Sequence, residues 1–234
     1  ILSVPEDVNN REHNRLLSMK PKSKIFSGKT LAILTGGGDT PALNSSIESI
    51  RNRASMLGFK VYGIQKGWKG LLGEGNIINL THHPYDGWYG GTALLSSRTN
   101  PFPTKKNPEN RIPQILNNLK RYKIDVLVSI GGDDTNGAAK KLYKTEGIPV
   151  IGFPKTIDND LRTRTIHTYK GKEIEAVLCP GFPSAVKGIE EFSNRMRTTC
   201  ESHQRICVLE VMGRDAGWLT GGAFYGGAEI SLVP

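Results

Sequence analysis

The sequence has little of several features that would each indicate a particular class of protein. It has only three cysteines in 234 residues, and Cys179, Cys200 and Cys207 lack the spacing of a metal site or a disulfide framework. No apolar run is long enough to span a membrane. The net charge is +9, but the basic residues form no stripe with interleaved aromatic side chains, the pattern typical of nucleic-acid binding. We therefore expect a cytoplasmic protein with reduced cysteines that binds neither membranes nor nucleic acids. The basic charge also suits small anionic substrates.

The composition that remains is typical of a loop-rich α/β protein. Hydrophobic residues make up 37% of the chain, which also contains 27 glycines and 13 prolines. The length is sufficient for one large domain or two small ones. Residues 1–29 are polar and basic, and we interpret them as an N-terminal extension that packs on the surface or on a partner subunit.

One stretch, Val126 to Asp160, carries the strongest functional signal. The apolar runs Val126–Ile130 and Pro149–Phe153 are typical of strands buried on both faces, and a helix with Gly147 at its end separates them. A right-handed crossover makes such strands parallel. The loops Gly131–Thr135 and Lys155–Asp160 should therefore meet at the carboxyl edge of the sheet, where open α/β sheets bind ligands.

Four carboxylates and one lysine are expected at this edge: Asp133, Asp134, Asp158, Asp160 and Lys155. Asp133 could hold Mg²⁺ that bridges phosphate oxygens, and Asp158 could accept a proton from an attacking hydroxyl. These are the components of phosphoryl transfer. For a single aspartate, a simple N-cap role is an equally good interpretation. Four of them beside a lysine favour a ligand site.

A second candidate anion site follows the predicted strand Thr30–Thr35. Gly36, Gly37 and Gly38 lead from this strand into a helix that begins near Pro41, an arrangement suited to binding an anion. The pattern matches neither a P-loop nor a dinucleotide fingerprint, and a tight turn without function is the alternative. Arg98 follows a Gly-Gly-Thr turn, where it could stabilise a transferring phosphoryl group or be an ordinary surface residue.

Five motifs, in order along the chain, together resemble the phosphofructokinase family. They are LTGGGDTPALN (Leu34–Asn44), GGTALLSSR (Gly90–Arg98), IGGDDT, PKTIDND and SHQRICVLEVMGRDAGWLT (Ser202–Thr220). The resemblance extends from about Thr30 to Pro234. It implies an enzyme of glycolysis that transfers a phosphoryl group to the 1-hydroxyl of fructose 6-phosphate.

The resemblance also implies roles for individual residues. Asp158 would be the general base, Thr156 and Asp160 would orient the acceptor and the base, and Asp133 would bind Mg²⁺. Gly37, Arg98 and Lys155 would hold the transferring phosphate. Arg205 would reach the sugar phosphate of a neighbouring subunit, which implies a homo-oligomer, a dimer or tetramer, with shared active sites. The remaining sugar-phosphate contacts would be Met212, Gly213 and Arg214.

The phosphoryl donor is predicted from Asp134 and Lys155. ATP-dependent members of the family commonly have glycine at the position of Asp134, and bacterial ATP users commonly have glycine at that of Lys155. The two substitutions predict the pyrophosphate-dependent branch. An ATP-dependent member, a related kinase of NAD or lipids, and a catalytically inactive regulatory subunit remain as alternatives.

The resemblance implies an α/β phosphofructokinase-like fold with two similar Rossmann-like three-layer domains. Residues 30–169 would form the donor-binding domain, and residues 170–234 would begin the sugar-phosphate domain. Because the family pattern continues beyond Pro234, we expect this second domain to be incomplete. Three further helices are predicted: Asn107–Tyr122, Ser184–Cys200 with Ser184 as its N-cap, and Gly217–Gly227. Residues Leu161–Pro183 are predicted to be a hairpin insertion with strands Ile166–Tyr169 and Glu173–Leu178. Two more strands are predicted at Arg205–Val211 and Ile230–Pro234.

Overall fold

A five-stranded sheet forms the centre of the molecule in the computed structural model. The structure describes residues 25–81, 87–105, 107–161, 166–169, 172–175, 178–213 and 215–234. The strands lie in the order β3-β2-β1-β4-β5, and β3 alone is antiparallel to its neighbour. Their bounds are β1 Thr30–Thr35, β2 Lys60–Ile64, β3 Ile77–Asn79, β4 Val126–Gly131 and β5 Val150–Pro154.

Helices cover both faces of this sheet, so the predicted three-layer arrangement is confirmed for the first part of the chain. The side chains of β1 alternate: Ala32 and Leu34 join the core on one face, and Leu31 and Ile33 join the core on the other. The core on the face of Ala32 and Leu34 also includes residues of helices α2 (Ile112–Arg121) and α3 (Asp133–Glu146). The core on the face of Leu31 and Ile33 includes residues of helix α1 (Ala42–Met56). Burial on both faces explains the continuous apolar runs of β1 and β4. For β5 that expectation is wrong, because β5 lies at the edge of the sheet and Ile151 is 54% exposed.

The strand order creates a crevice at the carboxyl edge. From β1 the chain continues to β2 on one side, and β4 pairs with β1 on the other. The loops after β1 and β4 therefore diverge, which is the topological condition for ligand binding in open α/β sheets.

The N-terminal end of the described chain packs beside the sheet. Phe26 stacks on Phe59 with ring centroids 4.5 Å apart, and Lys29 forms an ion pair of 2.9 Å with Asp125. Asp125 precedes β4, so this contact lies at the edge opposite the candidate site. Residues 1–24 lie outside the described residues, and the domain boundaries stay predictions.

The helix predicted at Asn107–Tyr122 begins later than expected. Its first residue is Ile112, because the side chain of Asn107 accepts the N–H of Glu109 and that of Asn110 accepts the N–H of Ile112. Such local bonds from asparagine stabilise turns in competition with helix.

The predicted hairpin is confirmed as β6 (Ile166–Tyr169) paired with β7 (Lys172–Glu175), although β7 is shorter and starts earlier than predicted. The following helix, α4, spans Phe182–His203, so Ser184 is not its N-cap. Gly181 has that position with a φ of +105°, where a side chain would be strained.

The small-residue helix near Gly217 is present as α5 (Trp218–Gly222) and a 3₁₀ turn (Ala223–Gly226). The predicted strands at 205–211 and 230–234 are wrong, since both segments lack strand hydrogen bonding. A strand needs a neighbour to pair with, and no strand in the described part of the chain lies beside either segment. The side chains of Ile206 and Val208 are therefore 96% and 91% exposed.

Among the helices that the structure describes, none has the length and apolarity needed to cross a bilayer.

Candidate active site

The glycine loop after β1 is fixed between two other loops. The amide of Gly36 donates to the carbonyl of Ile130 at 3.0 Å, and that of Gly37 donates to Ser97 at 3.2 Å. The hydroxyl of Ser96 donates to the carbonyl of Gly37 at 2.6 Å. Gly37 has a φ of +83°, a conformation that favours glycine. Since the amides of Gly36 and Gly37 are already used, anion contacts here depend on other groups of the loop.

Lys155 lies beneath this loop, with only 2% of its surface exposed. Its ammonium donates to the carbonyls of Gly36 at 3.1 Å and Gly38 at 2.5 Å, which uses two of its three N–H groups. Burial lowers the pKa of Lys155, the carboxylate of Asp39 opposes that shift, and the charge of Arg98 adds to it. The structure thus brings together Gly37, Lys155, Arg98 and Asp39, while the role of the first three in holding a phosphate stays a prediction.

Asp39 is a site residue that the sequence analysis did not select. A Cβ added at Gly91 would lie 3.8 Å from both of its carboxylate oxygens, so Asp39 faces the Gly-Gly-Thr turn before Arg98. Its position directly after three glycines was the available signal. Its carboxylate partly balances the charge of Lys155.

Asn44, on the first turn of α1, holds the loop that carries Arg98. Its amide donates to the carbonyls of Tyr89 at 2.9 Å and Gly90 at 3.1 Å, and its oxygen accepts the N–H of Ala93 at 2.9 Å. Asn44 is 5% exposed. A buried amide on the apolar side of a helix needs partners, so its place between Leu43 and Ile47 was the signal in the sequence.

Asn136 ties together the carboxyl ends of β4 and β5. Its amide donates to the carbonyls of Gly131 at 2.7 Å and Phe153 at 3.2 Å, and its oxygen accepts from the hydroxyl of Ser129. The loops that begin after these strands therefore start from a fixed separation. The sequence analysis did not select Asn136 either.

Asp133 and Asp134 form the start of α3, directly after Gly132, and both are exposed. Negative charges are favourable at a helix N-terminus. Among the described residues no group of three histidine, cysteine, aspartate or glutamate side chains could hold a metal ion. The exposed carboxylates nevertheless fit Mg²⁺, which proteins commonly bind through one or two carboxylates together with water and substrate phosphates.

The loop after β5 presents the predicted base. Asp158 is half-buried, and its amide donates to the hydroxyl of Thr156 at 3.1 Å. Asp160, two residues further on, is exposed. Lys155 begins the same loop, so the cation under the glycine loop and the carboxylate of Asp158 belong to residues three positions apart.

The predicted sugar-phosphate residues lie on an extended segment after α4. Arg205 is exposed at its start, where its amide donates to the carbonyl of Cys200 at 3.0 Å. Met212 is 70% exposed, Gly213 has a φ of +140°, and Arg214 lies outside the described residues. Met212 and Ile157, which lies in the loop after β5, both line an open apolar groove of about 330 Å³, and Arg205 is not among its lining residues.

Comparison with known proteins gives a consistent result. The family profile described as "Phosphofructokinase" matches residues 30–234. A pyrophosphate–fructose 6-phosphate 1-phosphotransferase of Dictyoglomus thermophilum is 42% identical over 212 residues, which are 89% of this chain and 56% of that protein. An ATP-dependent 6-phosphofructokinase of Clostridioides difficile is also 42% identical, over 88% of this chain and 60% of that protein. The chain thus spans somewhat more than half the length of these curated relatives.

Solved structures show the same fold. The pyrophosphate-dependent phosphofructokinase of Marinobacter aquaeolei superposes with a TM-score of 0.65 and 26% identity, over 86% of this chain and 50% of that one. The phosphofructokinase of Pichia pastoris in the T-state superposes with a TM-score of 0.72 over 92% of this chain and 22% of that one, at 23% identity.

Proposed function

This chain belongs to the phosphofructokinase family, and on that premise we propose that the protein transfers a phosphoryl group from pyrophosphate to the 1-hydroxyl of fructose 6-phosphate. The observation that carries the proposal is the convergence of three loops at the carboxyl edge of one sheet. The glycine loop, the Arg98 loop and the loop from Lys155 to Asp160 are joined there by hydrogen bonds and by the charges of Asp39, Lys155 and Arg98.

The reaction assigns one task to each group. The 1-hydroxyl oxygen of the sugar attacks a phosphorus of pyrophosphate, its proton passes to the carboxylate of Asp158, and the bridging P–O bond breaks to release phosphate. Thr156 and Asp160 orient the acceptor and the base. Arg98 stabilises the negative charge on the transferring group.

Lys155 contributes its charge from within the wall of the site. Because its ammonium is bound to the carbonyls of Gly36 and Gly38, it shapes the loop that includes Gly37 and acts on a phosphate at short range without extending into solvent. An ammonium in low dielectric acts more strongly than one in water.

Asp133 is the residue we propose for Mg²⁺. When bound, the ion would neutralise charge on the phosphates of the donor. The exposed position of Asp133 at the start of α3 leaves room for the water and phosphate ligands that Mg²⁺ retains.

Asp134 supports pyrophosphate as the donor. Its carboxylate lies in the first turn of α3, at the same edge of the sheet as the glycine loop. Two like charges about 4 Å apart repel by roughly 4 kcal/mol at an effective dielectric near 20, so a third phosphate of a nucleotide beside Asp134 would be disfavoured. ATP is the second candidate, because relatives named for ATP match this chain at the same identity as those named for pyrophosphate.

The test compares the two donors in the full-length protein. We expect kcat/KM to be higher with pyrophosphate than with ATP, and Asp134→Gly to raise the ATP-to-pyrophosphate ratio by about tenfold or more, since roughly 1.4 kcal/mol corresponds to a factor of ten. Glu146→Gln, at the exposed far end of the same helix, is the matched control. A wild-type preference for ATP would overturn the choice of donor.

The assembly and location are further parts of the proposal. Arg205 is exposed on a segment without strand partners among the described residues, which suits a contact with the sugar phosphate of a neighbouring subunit in a homo-oligomer. Met212, Gly213 and Arg214 would complete that contact. The free thiols of all three cysteines suit the reducing cytoplasm.

A further inference from the structure

The residue next to the proposed base has an unusual backbone conformation. Asn159 has a φ of +54° and is only 6% exposed. Asparagine is one of the few residues other than glycine that enter the left-handed region readily. Asn159 is thus more buried than either of its neighbours, the half-buried Asp158 and the exposed Asp160.

The side chain of Asn159 spans the base of the insertion that follows it. Its oxygen accepts the amide N–H of Cys179 at 2.9 Å. Next to this bond, the amide of Thr156 donates to Pro180 at 3.3 Å, and the thiol of Cys179 contacts the carbonyl of Leu161 at 3.8 Å. We call these three contacts the clasp. It joins the two ends of the insertion directly beside the loop of Asp158.

The clasp restrains Asp158 on both sides. On the N-terminal side, the hydroxyl of Thr156 accepts the backbone N–H of Asp158, and the backbone N–H of Thr156 donates to the carbonyl of Pro180. On the C-terminal side, Asn159 fixes the peptide that follows Asp158. Because Thr156 and Asn159 are both bonded to the segment before α4, the backbone that directs the carboxylate has little freedom to move.

We propose that Asn159 is a positioning residue that holds the carboxylate of Asp158 in its catalytic orientation through the clasp. The proposal rests on the proposed role of Asp158 as general base. A group misplaced by about 1 Å can lose roughly 10²-fold in rate, so loosening the clasp should lower kcat more than it raises KM.

The position of Cys179 provides a second, non-catalytic readout. Its side chain is 1% exposed, and burial raises the pKa of its thiol. A thiol that is both buried and protonated reacts slowly with alkylating reagents. Opening the clasp should expose it, and mass spectrometry can follow its labelling in a Cys200→Ser/Cys207→Ser background.

The experiment uses three substitutions of Asn159 in the full-length protein. Asn159→Gly keeps the left-handed backbone but loses the acceptor, and we expect kcat to fall by about 10–10²-fold, the sugar-phosphate KM to change less than about threefold, and Cys179 labelling to accelerate by about tenfold or more. Asn159→Ala, which also strains the backbone, should lose at least as much. Asn159→Asp keeps an acceptor oxygen and should restore most of both properties.

Cys179→Ala loses only the thiol contact of 3.8 Å and keeps the backbone N–H that Asn159 accepts, so its kcat should fall far less than that of Asn159→Gly; an equal fall would contradict the role of Asn159. Near wild-type kcat in Asn159→Gly would overturn the inference, as would a loss of kcat without faster labelling, or an Asp variant as impaired as the Gly variant. If the Gly and Ala variants do not fold, amide hydrogen exchange of Cys179 in the wild type decides, since rapid exchange contradicts the clasp. Asp158→Asn separates the two proposals. A near wild-type kcat in Asp158→Asn refutes the role of Asp158 as general base. A collapse of kcat in Asp158→Asn, together with a near wild-type kcat in Asn159→Gly, refutes only the positioning role of Asn159.

Discussion

Two regions of the molecule differ in how completely their apolar side chains are buried. One is the five-stranded sheet with the loops at its carboxyl edge, and the other is the segment from α4 onward. Ile33, Leu34 and Ile130 on the strands are 0% exposed. In α4, by contrast, Ser193 is the buried residue, and the large apolar side chain of Phe192 is 50% exposed.

The same difference separates the two sides of the candidate site. The glycine loop and the loop after β4 start from strands buried on both faces, and Lys155, Asn44 and Asn136 join the neighbouring loops to them. The extended segment from Arg205 to Gly213 is attached at its start by one backbone bond to Cys200 and borders an open groove. Among the described residues, the loops beside the paired strands are held by several hydrogen bonds, whereas the segment without strand neighbours is exposed.

The largest expected effect concerns the loop that joins the two regions. Asp158→Asn should lower kcat by roughly 10²–10⁴-fold, because the amide cannot accept the proton of the sugar hydroxyl. Steady-state kinetics should show a much smaller change in the KM of the sugar phosphate. Glu146→Gln is the control, and wild-type kcat in the Asp158 variant would refute the assignment.

A pair of core substitutions tests the comparison directly. Leu34→Ala should destabilise the chain by about 2–5 kcal/mol, since it removes a fully buried side chain from between sheet and helices. Phe192→Ala should cost less than about 1 kcal/mol, as expected for a side chain half in solvent. Urea unfolding measures both. Equal losses would mean that another part of the protein covers this face of α4.

Two neighbouring glycines test how tightly the glycine loop after β1 is held. Gly37→Ala should cost about 1–2 kcal/mol in the free energy of unfolding, because an L-residue is strained at positive φ; the new Cβ would also lie 3.6 Å from the ammonium of Lys155. Gly38→Ala is the matched control, since a Cβ there has no neighbour within 4 Å. Equal effects at both positions would contradict a specific requirement at Gly37.

The smallest expected effect is the pH dependence due to Lys155. Burial lowers its pKa from the ordinary 10.5, so between the lowered value and 10.5 the unfolded chain binds more protons than the folded chain. The free energy of unfolding contributed by this residue therefore rises with pH in that window. The difference in stability between wild type and Lys155→Met should increase as pH approaches 10.5 from below. A difference that stays flat or falls would contradict the burial of a charged Lys155.

The sequence predicted the elements that local pattern specifies strongly. The runs Thr30–Thr35 and Val126–Ile130 are strands as expected, and the hairpin at 166–175 is present. Errors occurred where local side-chain bonds replaced helix, as at Asn107, and where a strand required a partner, as at Arg205–Val211. The catalytic and substrate-binding roles stay predictions, as does Arg214, which lies outside the described residues.

By itself, the sequence predicted three of the loops at the candidate site, because the glycine loop, the loop after β4 and the loop after β5 each follow a strand whose apolar residues specify it locally. The tertiary structure alone decided how those loops meet. Lys155 reaches Gly36 across 119 positions, Asn136 joins two strand ends, and Asn159 binds Cys179 across 20 positions. A lysine or an asparagine in a loop has no periodic pattern that reveals its partner. Its burial and hydrogen bonds are set only when strands distant in sequence pair in one sheet.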